Sequence, residues 1–95
     1  MVRVIAHNYI GKEHLDKANE LFREMIAATL KEDGCIEYTL QMQDGDDTHY
    51  VFIEAWESEE ALKAHFETEH FKRIIPQIKE FCYKDEPVTL LAPFA

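Results

Sequence analysis

From His49 to Glu57 the chain reads HYVFIEAWE, and bulky side chains fall on both sides of the strand that this alternation predicts. Tyr50, Phe52, Glu54 and Trp56 share one face, and Val51, Ile53 and Ala55 share the other. A strand wetted on one face alternates cleanly between apolar and polar residues. This one demands cover on both. One face also carries a carboxyl group and the chain's single tryptophan, which a plain apolar core does not require.

The flanking segments say what can supply the cover. Residues 2–10, VRVIAHNYI, are rich in β-branched and aromatic residues and read as a strand that Gly11 ends. From Lys12 to Asp33 the pattern turns helical. Leu15, Ala18, Phe22, Met25, Ile26 and Thr29 form an apolar stripe, widened by Leu21 and Leu30, and Gly34 is placed to end the helix in a left-handed conformation. Residues 35–42, CIEYTLQM, alternate again, with Ile36, Tyr38, Leu40 and Met42 on one side. The turn QDGDDT joins them to 49–57 as a hairpin. Ser58 predicts an N-cap for a helix over about 59–67, and Thr68 a cap for the next. Pro76 predicts a kink or restart, with PQIKEFCY as a further helical piece. Pro87 opens a last strand, VTLLAPF.

The order is β-α-β-β-α-β, the split βαβ or ferredoxin-like plan of the α+β class. The 95 residues suit one domain spanning 1–95. In this plan helices cover only one face of the antiparallel sheet. The bulk on the second face of 49–57 therefore predicts a homodimer that packs sheet against sheet.

Charge narrows the partners. The formal net charge is −9, so a phosphate backbone and an anionic membrane surface are both excluded as natural partners. The N-terminal MVRVIAHNYIG lacks the pattern of a signal peptide, and no apolar run reaches membrane-spanning length. The expectation is a soluble cytoplasmic protein. Cys35 and Cys82 are far apart and form no CxxC pair, so they read as reduced, largely buried thiols.

Two stretches, LKEDGCIEY and FIEAWESEEALKAHFETEHF, bring a family into view. A Glu-x-Trp strand end, a Ser cap, Ala-Leu, x-x-His and a second Thr-x-His-Phe resemble the antibiotic biosynthesis monooxygenase superfamily, in particular its quinol monooxygenase branch. The resemblance implies a dimeric α+β barrel with a pocket between sheet and helices in each subunit. It implies oxidation of a small aromatic substrate (a quinol, anthrone or related polyphenol) by dioxygen, with no cofactor and no metal. Other relatives degrade haem or isomerise small metabolites. Asn8 matches an asparagine of the haem branch, but Ile75 falls where its iron-binding histidine would stand, and isoleucine cannot ligate iron. In the cofactor-free anthrone oxygenases the functional pair resembles Asn8 with Trp56.

A cofactor-free oxygenase must bind a flat apolar molecule, favour its anion and exclude water. Trp56, Phe52, Tyr50, Phe66 and Phe71 are candidate walls. Asn8 is a candidate donor to a developing oxyanion, and His65 or His70 a candidate base. Tyr38 and Glu54 are candidate pocket groups for proton transfer. Each has a plainer reading. Asn8 can serve the strand, Trp56 can be core, Glu54 can pair with Lys or Arg, and His65 can be a hydrogen-bonded, half-buried histidine bordering the apolar stripe. A metal on His65, His70 and Glu69 is not expected, because the spacing is not HExxH and crosses a helix boundary. The second functional reading is a non-oxidative protein of the same shape, either an isomerase of a small oxygenated metabolite or a binding module.

Overall fold

The computed structural model describes residues 1–95. Its elements are β1 (Val2–Ile10), a 3-10 turn (Lys12–His14), α1 (Leu15–Thr29), β2 (Cys35–Met42), β3 (His49–Trp56), α2 (Glu59–Phe66), α3 (Glu69–Phe81), β4 (Cys82–Lys84) and β5 (Thr89–Leu91). The sheet runs β2-β3-β1, and β4 and β5 share the remaining edge of β1. All pairings are antiparallel. This is the ferredoxin-like plan that the periodicities predict.

The inner sheet face carries Val4, Ile10, Tyr38, Tyr50, Phe52 and Trp56. It packs against Leu21, Phe22 and Met25 of α1, Leu62 of α2, and Ile74 and Ile78 of α3. Both predicted caps form. The amide N–H of Ala61 donates to Ser58 Oγ at 3.1 Å, and that of Phe71 donates to Thr68 Oγ1 at 3.3 Å. Each satisfies one of the orphan donors of a helix start.

Several local expectations need correction. No restart occurs at Pro76: α3 continues through it to Phe81. The N–H that proline lacks would have bonded the carbonyl of Lys72, an exposed residue whose carbonyl water can serve. Cys82 and Tyr83, predicted to end the helical piece PQIKEFCY, instead join Lys84 in β4, and the predicted last strand VTLLAPF is reduced to β5, with Pro87 in the loop between β4 and β5. Leu30 lies beyond the end of α1 and is 56% exposed. Ile36 does not share the face of Tyr38. A bulge between Cys35 and Glu37 turns Ile36 outward and lets Cys35 pack against the core.

Gly34 has the predicted positive φ of +83°, but it closes the turn after α1 rather than capping the helix itself. A β-carbon there would stand 2.6 Å from the Ala61 Cβ on α2. The missing side chain lets the 30–34 turn close onto α2. Gly45 shares the left-handed conformation at φ +84°, with open space around it. Ala at Gly45 should therefore cost about 1 kcal/mol of backbone strain, whereas Ala at Gly34 should cost roughly twice that or more, because the α2 contact must also yield. Urea denaturation of Gly34→Ala and Gly45→Ala checks this; equal losses would show that the close approach to Ala61 carries no energy.

Candidate functional site

β4 and β5 leave part of the β1 edge uncovered. β5 covers Arg3 to Ile5 on the β1 edge, and β4 covers Tyr9 and Ile10. The edge between them, at Ala6, His7 and Asn8, has no strand partner. A cavity of about 430 Å³ opens there, with Lys84 to Val88 around its mouth. Its walls are the inner sheet face, α2 and α3, and it is lined by Asn8, Tyr38, Phe52, Glu54, His65, Phe66 and Phe71 among others.

Glu54 is the unusual group. It is 6% exposed, opposite Val4 on β1 and Tyr38 on β2. The Trp56 indole N–H donates to its Oε1 at 2.9 Å. No Lys, Arg or His forms a salt bridge with it, so the predicted cation pairing is not made. Burial pushes its carboxyl up to about 7; the Trp56 hydrogen bond offsets part of that rise, and the Glu32 charge adds to it. A carboxyl group of this kind can give or take a proton near neutral pH.

His65 is held between aromatic rings. Its ring centroid lies 4.6 Å from that of Trp56, 5.0 Å from Phe71 and 5.6 Å from Tyr38. Its Nδ1 meets Glu32 Oε2 at 2.8 Å. With the carboxylate accepting, Nδ1 carries the proton and Nε2 keeps its lone pair. Burial lowers the His65 pKa, and the Glu32 contact opposes that fall without cancelling it. Burial and the nearby Glu54 charge raise the Tyr38 hydroxyl, which stays a neutral donor. The Asn8 carboxamide enters none of the hydrogen bonds made within the chain, so both of its polar ends remain available to a ligand.

Seven of the ten residues singled out in the sequence thus line one cavity. Tyr50 does not: it lines a separate hollow against α1, and its hydroxyl donates to Asn19 Oδ1 at 2.7 Å. Two others stand behind the cavity. Trp56 is fully buried and does not line the space; it positions Glu54 through its N–H and His65 through ring contact. His70 lies one step away, with Nε2 at 2.6 Å from the same Glu32 oxygen that meets His65. Glu69 is not its neighbour in function: that carboxylate faces outward and pairs with Arg73 at 2.6 Å. Glu32 is the residue that sequence reasoning missed. It sits in a turn that reads as an ordinary solvated Lys-Glu-Asp-Gly, and its partners are 33 and 38 positions away. Two other hollows of similar size, 440 and 480 Å³, lie beside Met1 and beneath α1. Neither is lined by a buried carboxyl or imidazole.

A ferredoxin-like subunit with an aromatic-walled cavity between sheet and helices, holding a neutral-range carboxyl and a carboxylate-held imidazole, has the make-up of a small-molecule site. Comparison with known proteins is more specific. The family described as antibiotic biosynthesis monooxygenase matches residues 1–77, and the chain belongs to it. A crystal structure described as that of an antibiotic biosynthesis monooxygenase superimposes with a TM-score of 0.96 at 37% identity, covering 100% of both chains. A protein of Bacillus subtilis (strain 168) named "Putative monooxygenase YcnE" is 33% identical over 69 residues, which is 73% of this chain and 68% of that protein. The uncharacterized protein sll1783 of Synechocystis is 27% identical over 78 residues, and the match spans about half of it, 53% of its length against 79% of this chain.

The Glu54 environment gives a stability signature. Its carboxyl ionises near 4.5 in the unfolded chain and about 7 in the folded one. The folded state therefore holds the proton more tightly, and stability falls as pH rises from 4.5 through 7. The full penalty, on the order of 3 kcal/mol, is in force above that window and absent below it. Glu54→Gln removes the ionisation. Its melting temperature should gain on the wild type as pH rises across the window, with no gain at its acid end. A difference that does not vary with pH would sink the assignment.

Proposed function

We propose that the protein is a cofactor-independent monooxygenase that oxidises a small, flat aromatic, a quinol, an anthrone or a related polyphenol, with dioxygen. The observation that carries this reading is the pairing of the Glu54 carboxyl, poised near neutrality, with the unpartnered Asn8 carboxamide in one aromatic-walled cavity. Family membership and the monooxygenase name of the Bacillus relative support it.

The chemistry follows from the substrate's own electrons. Glu54, ionised, takes the acidic proton of the bound aromatic. Asn8 donates a hydrogen bond to the oxyanion that forms. His65 Nε2, set by Glu32 on the far side of the ring, accepts from a second hydroxyl. The anion passes one electron to dioxygen, and the resulting radical and superoxide combine to form a carbon–oxygen bond. Protonation and loss of water from that hydroperoxide leave a carbonyl. For a methylene substrate the balance is R₂CH₂ + O₂ → R₂CO + H₂O. Phe52, Phe66 and Phe71 hold the ring and keep water from the radical pair. A second reading, proton-transfer isomerisation without oxygen, is favoured by the same clustering of Glu54, His65 and Tyr38. It differs in predicting solvent-deuterium exchange into the ligand and no oxygen consumption.

The fold also supports assembly as a homodimer. The outer sheet face presents Ile5 paired with Ile53, flanked by Val51 and by Leu91, which is 42% exposed. Around this apolar centre runs a polar rim that includes the Arg3–Glu37 ion pair and the His7–His49 contact. An apolar core with a polar rim is the make-up of a protein interface.

Two measurements test these readings. Oxygen uptake with reduced naphthoquinones and anthrones should exceed autoxidation in the presence of a chelator. It should rise with pH through about 7 as Glu54 ionises and fall about a hundredfold in Asn8→Ala. Uptake no greater than the no-enzyme control across the panel would overturn the oxygenase reading. In light scattering the wild type should run as a dimer and Ile53→Glu as a monomer. A monomeric wild type would remove the sheet-to-sheet pairing.

A further inference from the structure

The Glu32 oxygen that meets His65 also meets His70, and this convergence can do more than orient a base. Glu32 comes from the turn after α1, His65 from α2 and His70 from the first turn of α3. His65 Nδ1 and His70 Nε2 approach the same Oε2 at 2.8 and 2.6 Å. One donor atom from each residue lies within 4.8 Å of the other two. The three side chains are 2%, 12% and 15% exposed for His65, Glu32 and His70. We propose that Glu32, His65 and His70 form a binding site for one first-row divalent transition-metal ion of the zinc type.

Four features support a site rather than a chance contact. Two imidazoles and one carboxylate, with a fourth position open, are a donor set that zinc uses. The carboxylate is reserved, since neither Lys nor Arg pairs with Glu32. The two cations that follow His70 on α3 are already engaged, Lys72 by Glu67 and Arg73 by Glu24 and Glu69. The two histidines are also held in place. Thr68 caps α3, and its Oγ1 donates to the His65 carbonyl at 2.8 Å, so the α2–α3 junction is tied on both sides. Finally, little movement is needed. Both nitrogens already meet one oxygen, and metal bonds of about 2.1 Å set tetrahedral donors roughly 3.4 Å apart, so the two N···O pairs open while the nitrogens, within 4.8 Å of each other, settle to the same spacing. Glu32 can supply that shift by swinging its carboxylate back.

The other histidine pair shows what such a site is not. His7 reaches His49 through Nδ1 and Glu86 through Nε2. These are opposite sides of one ring, so His7, His49 and Glu86 cannot converge on a single ion.

An ion at Glu32, His65 and His70 would change what the cavity sees. Bound through Nδ1, a neutral His65 must carry its proton on Nε2, which becomes a donor instead of an acceptor. The ion would then act as a brake on the proton transfer assigned above, a consequence that rests on the oxygenase reading. The site itself does not rest on it.

The test is read without substrate, so its failure and that of the oxygenase reading are separate. Chelator-stripped protein is titrated with Co²⁺ by visible absorption and with Zn²⁺ by equilibrium dialysis. The expected result is one ion per chain with the intense visible bands of a tetrahedral site. Binding should weaken at least about tenfold in both Glu32→Gln and His70→Asn and stay unchanged in His49→Ala. Circular dichroism establishes that each variant is folded, and if Glu32→Gln does not fold, His70→Asn carries the comparison. Absence of saturable binding would overturn the proposal, leaving a hydrogen-bonded triad only. So would binding that survives both substitutions, or that is lost in His49→Ala.

Discussion

The eight-residue antiparallel pairing of β1 with β3 sets the position of everything else in this fold. It places Val4 opposite Glu54, Ala6 opposite Phe52 and Asn8 opposite Tyr50. Because directly opposite residues share a face, one register brings the carboxamide, the carboxyl and the aromatic wall to the same side of the sheet. A slip of one residue would send Glu54 to the outer face and Ile53 into the cavity. The hydrophobic cost of such a slip, with Phe52 and Trp56 exposed together, is what makes the register unique.

Burying Glu54 at that place is unfavourable, and the surroundings limit the cost without removing it. The Trp56 N–H satisfies one carboxylate oxygen, while no salt bridge neutralises the group. The result is a carboxyl group held near neutrality instead of one fully ionised or fully protonated. Trp56 thereby acts from behind the cavity. Its indole is fully buried, and it holds an acid on one side and an imidazole ring on the other. A pKa raised by burial in this way comes at the expense of stability above the window in which the group titrates.

Much of this was legible in the sequence. Alternation in 2–10, 35–42 and 49–57, helical spacing in the first long segment, and the Ser58 and Thr68 caps are all local signals, and they located the elements well. The inner face of β3 was readable because side-chain period in a strand is two. Asn8, Tyr38, Phe52, Glu54, His65, Phe66 and Phe71 could be proposed as pocket residues from face assignments and family resemblance together. The errors arose where local signals compete with tertiary ones. Pro76 reads as a helix breaker, yet the exposed Lys72 carbonyl and the packing of Ile74 and Ile78 keep α3 whole. Ile36 follows the alternation, yet a bulge overrides it.

The sequence by itself determined the order of elements as far as α2, the inner faces of β1 and β3, the acidic surface and the family, because each is written in short-range periodicity, composition or motif. Only the tertiary structure decided that β4 and β5 take separate parts of the β1 edge and leave Ala6 to Asn8 open as the cavity mouth, since that depends on which atoms of β1 the returning chain can reach. Only the tertiary structure moved Trp56 behind the wall and brought Glu32 from a solvated-looking turn to two histidines more than thirty residues away. Such contacts join elements through space. Their energy comes from packing and desolvation at positions that no local pattern in the chain connects.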